Sequence, residues 1–218
     1  MAKIYPSLLS ADFGYLIDEI LRVQDGDADG LHFDVMDGQF VPNLSFGAPV
    51  LKWIKERTTL ELDCHLMVQE PRHLFADFVK AGAHRITIHA EACKNLADDL
   101  SAIRDLGCKA GIAIRPGTDF LPLEEHLEKI DLILSMTVNP GFGGQKLIPE
   151  ALSKTEKIIH WLDEKKLRDR IWVQIDGGVN AETAPAASKI GVDILVAGAA
   201  VFGTPDYEAS IRQLKVGQ

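Results

Sequence analysis

Residues 31–43 read LHFDVMDGQFVPN, and the first six decide how the rest of the chain is read. In an extended strand, residues two apart share a face. Leu31, Phe33 and Val35 therefore line one side, and His32, Asp34 and Met36 the other. A strand this apolar that turns an imidazole and a carboxylate the same way has apolar packing outside and a polar interior within.

Further short β-branched runs stand on either side of it. With Leu31–Met36 they predict eight strands, near Ile4–Leu9, Leu31–Met36, Leu60–Val68, Arg85–His89, Lys109–Ile114, Leu132–Val138, Ile171–Ile175 and Ile194–Ala197. Helical periodicity follows each, over Leu16–Val23, Val50–Arg57, Arg72–Lys80, Leu96–Leu106, Leu123–Lys129, Ala151–Lys166, Ala181–Lys189 and Tyr207–Leu214. Gly82, Gly107 and Gly191 sit where helix-ending glycines belong, and Pro71 and Pro149 stand at helix starts. Alternating βα units imply a parallel sheet with right-handed crossovers, and eight of them favour an α/β, closed (β/α)8 TIM barrel over an open sheet. No linker or charge block divides residues 1–218, so one barrel domain is expected.

Composition excludes several function classes. The net charge of −9, from 23 Lys and Arg against 32 Asp and Glu, leaves no basic cluster for nucleic acid or an anionic membrane. No apolar run is long enough to span a bilayer. The opening MAKIYPSLLSADFG is broken by Pro6, Ser7, Ser10 and Asp12 before an export signal could form. Cys64, Cys93 and Cys108 cannot all pair and form no CxxC, which fits reduced, buried thiols and a cytoplasmic location.

A barrel carries its active site at the C-terminal ends of its strands. There the third strand ends LELDCHLMV, with Asp63, His65 and Met67 on one face, and the seventh ends IWVQIDGGV, with Gln174 and Asp176 on one face. His32, Asp34, His65 and Asp176 thus point to one mouth. Burying two carboxylates without a cation is costly. The four make a first shell for one divalent metal ion, and Zn2+, Fe2+, Mn2+ and Co2+ all accept these ligands, with Zn2+ the first choice.

Glycine loops supply the rest of that mouth. NPGFGGQ (139–145) follows the sixth strand, DGGV (176–179) the seventh and GAA (198–200) the eighth. Side-chain-free backbone lets N–H groups approach a phosphate closely. NPGFGGQKLI is also long enough to act as a lid. Met36, Met67 and Met136 lie near the ends of three strands, either as core filling or as a soft apolar cap over a substrate.

A metal that polarises a carbonyl stabilises the enediolate formed when the adjacent carbon loses its proton. Two carboxylates from separated strands can then exchange that proton on opposite faces. The reaction class is epimerisation next to the ketone of a sugar phosphate.

The motifs PSLLSAD (6–12), HFDVMDGQFVPN (32–43), DCHLMV (63–68), IHAEA (88–92), VNPGFGGQ (138–145), DGGV and VAGAAVF (196–202) resemble those of the ribulose-phosphate 3-epimerase family in order and spacing. The resemblance implies a ribulose-phosphate-binding barrel that interconverts D-ribulose 5-phosphate and D-xylulose 5-phosphate, with one divalent metal per subunit in a homo-oligomer. It implies that His32, Asp34, His65 and Asp176 are the ligands and that Asp34 and Asp176 are the catalysts. Ser7 and His65 would contact the sugar. Gly141, Phe142, Gly143, Gly144, Gly177, Gly178, Gly198 and Ala199 would surround the phosphate end. Ala199 replaces a serine common in the family, which predicts weaker phosphate binding; Gln39 and Arg115 depart from the pattern only at peripheral positions.

A hexulose 6-phosphate such as D-allulose 6-phosphate would use the same residues. Related decarboxylases carry Asp-x-Lys-x-x-Asp on the third strand, where this chain reads Asp63-Cys64-His65-Leu66-Met67-Val68. A non-catalytic sugar-phosphate binder would have little use for two facing aspartates.

Overall fold

The computed structural model describes residues 1–216; the last two residues of the expected 1–218 domain lie outside it. Eight parallel strands form one sheet: β1 (Lys3–Pro6), β2 (Gly30–Met36), β3 (Glu61–Met67), β4 (Arg85–His89), β5 (Lys109–Ile114), β6 (Leu132–Met136), β7 (Trp172–Asp176) and β8 (Ile194–Ala197). The sheet order is β1-β8-β7-β6-β5-β4-β3-β2, and a parallel bridge from Ser7 to His32 brings its two edges together. The expected barrel is the observed one.

Around it run α1 (Leu16–Asp25), α2 (Ala48–Lys55), α3 (Phe75–Lys80), α4 (Leu96–Asp105), α5 (Pro149–Glu164), α6 (Ala184–Lys189), α7 (Ala199–Phe202) and α8 (Tyr207–Val216). Gly82, Gly107 and Gly191 follow α3, α4 and α6 with φ of +102°, +78° and +94°, the left-handed region where a Cβ is strained. Pro149 opens α5, where its missing N–H costs nothing.

Departures from the expected boundaries have local causes. β1 stops at Pro6 because the Ser7 hydroxyl accepts the Leu9 N–H and caps a 3-10 turn over 8–10. The segment expected as one helix over 72–80 starts as a 3-10 turn at Pro71–Leu74. The stretch expected over 123–129 is a 3-10 helix from Leu121 to Lys129, in which only Leu123 and Leu127 are buried. α6 begins three residues late because the Asn180 carboxamide accepts the N–H groups of Glu182 and Thr183, a local alternative to helix. The GAA stretch expected as a loop enters α7, one short turn of helix.

Strand alternation divides the interior. Leu31, Phe33 and Val35 face outward into the main apolar layer under the helices, with Leu62, Cys64, Ile86 and Ile88 beside them. Inside the barrel, Tyr5, Leu132, Leu134, Met136 and Ile194 form a smaller apolar cluster. The remaining interior is polar: His32, Asp34, Asp63, His65, Arg85, Thr87, His89 and Gln174 are all buried. The polar groups come from β2, β3 and β4 on one side of the barrel and from β7, which lies between the apolar β6 and β8, on the other.

Candidate active site at the C-terminal mouth

Register sets the levels of the site. Asp34 pairs with His65 across β2 and β3, and His32 pairs with Asp63 one level below. Asp176 ends β7 opposite Met136. His32 and His65 have no exposed surface, Asp34 is 2% exposed, and the Asp176 side chain is 18% exposed.

Four donor atoms converge, one from each of His32, Asp34, His65 and Asp176, all within 4.8 Å of one another. His32 Nε2 lies 3.3 Å from Asp34 Oδ1 and 3.4 Å from His65 Nδ1, and His65 Nδ1 lies 3.1 Å from Asp34 Oδ1. Ligands of a tetrahedral ion at ordinary Zn–N and Zn–O lengths stand roughly 3.3 Å apart, which these three edges match. Asp176 Oδ2 stands farther off, 4.0 Å from His32 Nε2 and 3.9 Å from His65 Nδ1. The two-nitrogen, two-oxygen set fits one divalent cation with Asp176 as the most accessible ligand.

The electrostatics reflect crowding of like and unlike groups. Burial lifts Asp176 and the neighbouring Asp34 charge lifts it further, to about 6. Burial pushes Asp34 the same way, but His32 and then His65 outweigh it and hold that carboxyl well below the usual range. Burial pulls His32 down, yet Asp34 and Asp63 outweigh it and hold the imidazole well above its ordinary value. Ser7 donates its hydroxyl to Asp34 Oδ2 at 2.5 Å, which fixes the carboxylate plane.

A cavity of about 310 Å³ opens above this cluster, within the range of small-ligand sites. Asp34 and Asp176 line it together with Ser7, Met36, Met67 and Met136, so the three methionines form part of the wall rather than remote core. Gly141, Phe142, Gly143, Gly144, Gly177, Gly178, Gly198 and Ala199 line its rim. His32 and His65 lie beneath the aspartates with no exposed surface, outside the residues that line the cavity.

Close packing brings the rim loops together. Gly178 has φ +69°, and a Cβ there would stand 2.2 Å from the Leu147 nitrogen, so only glycine lets the loops after β6 and β7 meet. Asn43 Nδ2 donates to the Gly141 carbonyl, and Gln145 Nε2 donates to the carbonyls of Asn139 and Phe142, bracing the NPGFGGQ loop.

Two supports beneath the site escaped the sequence reading. Asp63 Oδ2 lies 2.9 Å from His32 Nδ1 and accepts from Gln174 Nε2 at 2.7 Å. Burial raises the Asp63 carboxyl, but Arg85, then His32 and Gln174, outweigh it and bring it to about 2. On the other side His65 Nε2 lies 2.9 Å from His89 Nε2, and His89 Nδ1 lies 3.2 Å from Glu91 Oε2. Burial depresses His89 to about 4. Arg85, Thr87 and His89 alternate inward on β4 as His32 and Asp34 do on β2, and that period-two signal could have flagged His89.

The fold is that of a TIM-barrel protein, with a converging group of polar side chains at its C-terminal mouth. The model of the ribulose-phosphate 3-epimerase family matches residues 3–202. The ribulose-phosphate 3-epimerase of Bacillus subtilis is 44% identical over 215 residues, 99% of each chain. That of Mycobacterium leprae is 45% identical over 212 residues, 97% of this chain and 93% of the other. The chain belongs to the ribulose-phosphate 3-epimerase family and is an epimerase. Among solved structures, a 3-keto-L-gulonate-6-phosphate decarboxylase from Vibrio cholerae superposes with TM-score 0.71 at 16% identity, covering 100% of this chain and 99% of that one. An orotidine 5'-phosphate decarboxylase from Pyrococcus horikoshii does so with TM-score 0.69 at 16% identity, covering 98% of each. At such identities these two speak to the fold alone. Among the described residues no helix is long and apolar enough to cross a membrane.

Proposed function

We propose that residues 1–218 work as one catalytic domain that interconverts D-ribulose 5-phosphate and D-xylulose 5-phosphate, with Asp34 and Asp176 as the paired acid/base catalysts. One observation carries the reading: both aspartates line a single cavity directly above two imidazoles whose nitrogens converge with their oxygens.

His32, Asp34, His65 and Asp176 would hold one divalent cation, with Zn2+ the first choice for this ligand set and Fe2+, Mn2+ and Co2+ the others. When bound, the cation supplies Lewis-acid polarisation of the ketone and so acidifies the neighbouring C–H. Backbone N–H groups of the Gly141–Gly144, Gly177–Gly178 and Gly198–Ala199 segments would receive the phosphate, placing C3 between the aspartates. One aspartate takes the C3 proton, and the C–H electron pair delocalises into the ketone as an enediolate. The other delivers a proton to the opposite face, so C3 inverts with no net oxidation or reduction. The two carboxyls finish with their protonation exchanged, and the reverse reaction uses the same pair. Ser7 holds Asp34 in plane, and the three methionines exclude water from the carbanion.

A homo-oligomeric assembly and a cytoplasmic location belong to the same proposal; sedimentation of the purified chain reads the first. The main test is a coupled assay of ribulose 5-phosphate turnover on protein stripped by chelator and reloaded with single metals. Activity that disappears on stripping and returns with Zn2+ or Fe2+, with solvent deuterium entering C3, is the expected result. Full activity after verified metal removal overturns the metal-dependent mechanism. Faster turnover of D-allulose 6-phosphate in competition would move the substrate to the hexulose phosphates.

A further inference from the structure

A cation at this site needs a bare Nδ1 on His65, since Nδ1 is the ring atom that meets Asp34 Oδ1 and His32 Nε2 at 3.1 and 3.4 Å. An imidazole presents that lone pair only if its proton sits on Nε2. The Nε2 atoms of His65 and His89 face each other at 2.9 Å, so one must donate and the other accept. Two acceptors compete for the His65 proton, Asp34 Oδ1 at Nδ1 and the His89 ring at Nε2; a cation would neutralise the first, so in a loaded site the far end of the relay decides the direction.

There, His89 Nδ1 faces Glu91 Oε2 at 3.2 Å. Glu91 Oε1 accepts the Arg115 backbone N–H at 2.8 Å and also the Thr118 hydroxyl. Both of those donors are held by Oε1, which leaves Oε2 to face His89 as an acceptor, and two acceptors at that distance would repel. His89 must therefore carry its proton on Nδ1 and accept on Nε2, and His65 must carry its own on Nε2. His89 is fully buried and packs against Phe40, with ring centroids 4.7 Å apart, so the His65–His89 contact is shielded from water while Glu91 anchors it from the surface.

We propose that Glu91, acting through His89, is a positioning residue that sets the tautomer of His65 and leaves its Nδ1 lone pair aimed at the cation site. The proposal rests on the metal-binding reading above. It makes the two imidazole ligands alike in principle: His32 is set directly by Asp63, and His65 through one intervening ring. Metal-bound histidines commonly have such an outer partner; here it is one residue more remote.

Glu91→Gln reverses the relay without changing its shape. The Arg115 N–H and the Thr118 hydroxyl require the carboxamide oxygen, so the NH2 turns to His89 and donates to its Nδ1. His89 then carries its proton on Nε2 and donates to His65, whose remaining proton moves to Nδ1, into the cation site. Thr118→Val removes a donor to Glu91 but keeps the carboxylate, and serves as the control for disturbing this loop.

The test reads the imidazole nitrogens by two-bond proton–nitrogen correlation in Zn2+-loaded protein, above the ordinary imidazole pKa, and Zn2+ affinity by competition with a chelator. Wild type and Thr118→Val should show His65 protonated on Nε2 and His89 on Nδ1. Glu91→Gln should show His89 protonated on Nε2 and bind Zn2+ about 10- to 100-fold more weakly. The proposal fails if wild-type His89 carries its proton on Nε2, if Glu91→Gln leaves the His89 tautomer and the affinity unchanged, or if Thr118→Val weakens Zn2+ as much. Should wild type bind no Zn2+, the metal-binding reading fails instead, while the position of the His89 proton still judges the relay.

Discussion

At the N-terminal end of the barrel, Lys3, Arg85 and Lys109 stand around the Trp172 ring at 4.7, 5.9 and 5.9 Å, and Tyr5 donates to Glu61. A groove of about 900 Å³ opens beside them, larger than the cavity at the other end. At the C-terminal mouth the cavity is smaller, but the donor atoms of four side chains meet within 4.8 Å. Charges at the first end are answered by ring faces and neighbouring partners. Those at the second share one focus. Convergence, rather than polarity or volume, separates a chemical centre from a stabilising layer, in keeping with the division of labour between the two ends of this fold.

The sharpest way to break this contrast is Asp176→Asn. If the mouth is built for proton transfer, kcat should fall by about 10²- to 10⁴-fold. Asp176 carries no support for its neighbours that an amide would remove, so Tm should stay within about 2 °C. Kinetics and calorimetry on one preparation check both. A large drop in Tm would mean that the mouth, too, is a stabilising layer.

Arg85→Met probes the other end. Arg85 is 3% exposed and lies 3.8 Å from Asp63 and 3.9 Å from Glu61. Its removal leaves Asp63 as a buried charge with less compensation, at a cost of about 3 kcal/mol. In a chain of this size that lowers Tm by roughly 6–12 °C. Because no substrate-facing group is touched, kcat well below Tm should stay within about tenfold. A stable but inactive variant would extend the catalytic machinery down the barrel.

What could be read from sequence follows the same division. His32 and Asp34 were legible because strand alternation needs no partner to be known, and Asp176 and the glycine loops because they stand at strand ends. The support beneath them was not. That Asp63 lies level with His32 is a matter of β2–β3 register, which the residues of either strand alone do not set. His89 reaches His65 only because β4 neighbours β3, and Glu91 is fixed by Arg115 and Thr118 from a loop distant in sequence. Helix starts at Ala184 and Phe75 were missed because side chains and prolines at the preceding turns compete locally with the helix.

A smaller effect at the mouth itself tests whether its loops are tied by charge. Asp37 accepts the N–H groups of Gln39, Phe40 and Gln69, joining the loops after β2 and β3. Burial raises this carboxyl, but those three bonds outweigh it and hold it below its ordinary 3.8. A group depressed on folding adds stability that is full above the unfolded value and is lost as pH falls through the folded one. Wild type should exceed Asp37→Asn by about 1 kcal/mol near neutrality, and urea unfolding should show the gap closing only below the ordinary carboxylate range. A gap independent of pH would mean that the carboxamide fails through shape rather than charge.

The smallest change concerns the phosphate end. Ala199 opens α7 and lines the cavity beside Gly198, whose close approach to Ser10 leaves no room for a side chain. Ala199 itself is exposed, so a hydroxyl there adds a donor without displacing a neighbour. One hydrogen bond to a charged oxygen in a site still open to water is worth about 0.5–1 kcal/mol, so Ala199→Ser should lower KM for the sugar phosphate about two- to fivefold. A contact to the non-reacting phosphate is equal in ground and transition states, so kcat should not move. A fall in kcat with KM would mean that the phosphate is held too rigidly for C3 to be presented to both aspartates. An unchanged KM would mean that backbone N–H groups already satisfy the anion, and that the glycines alone define the phosphate end.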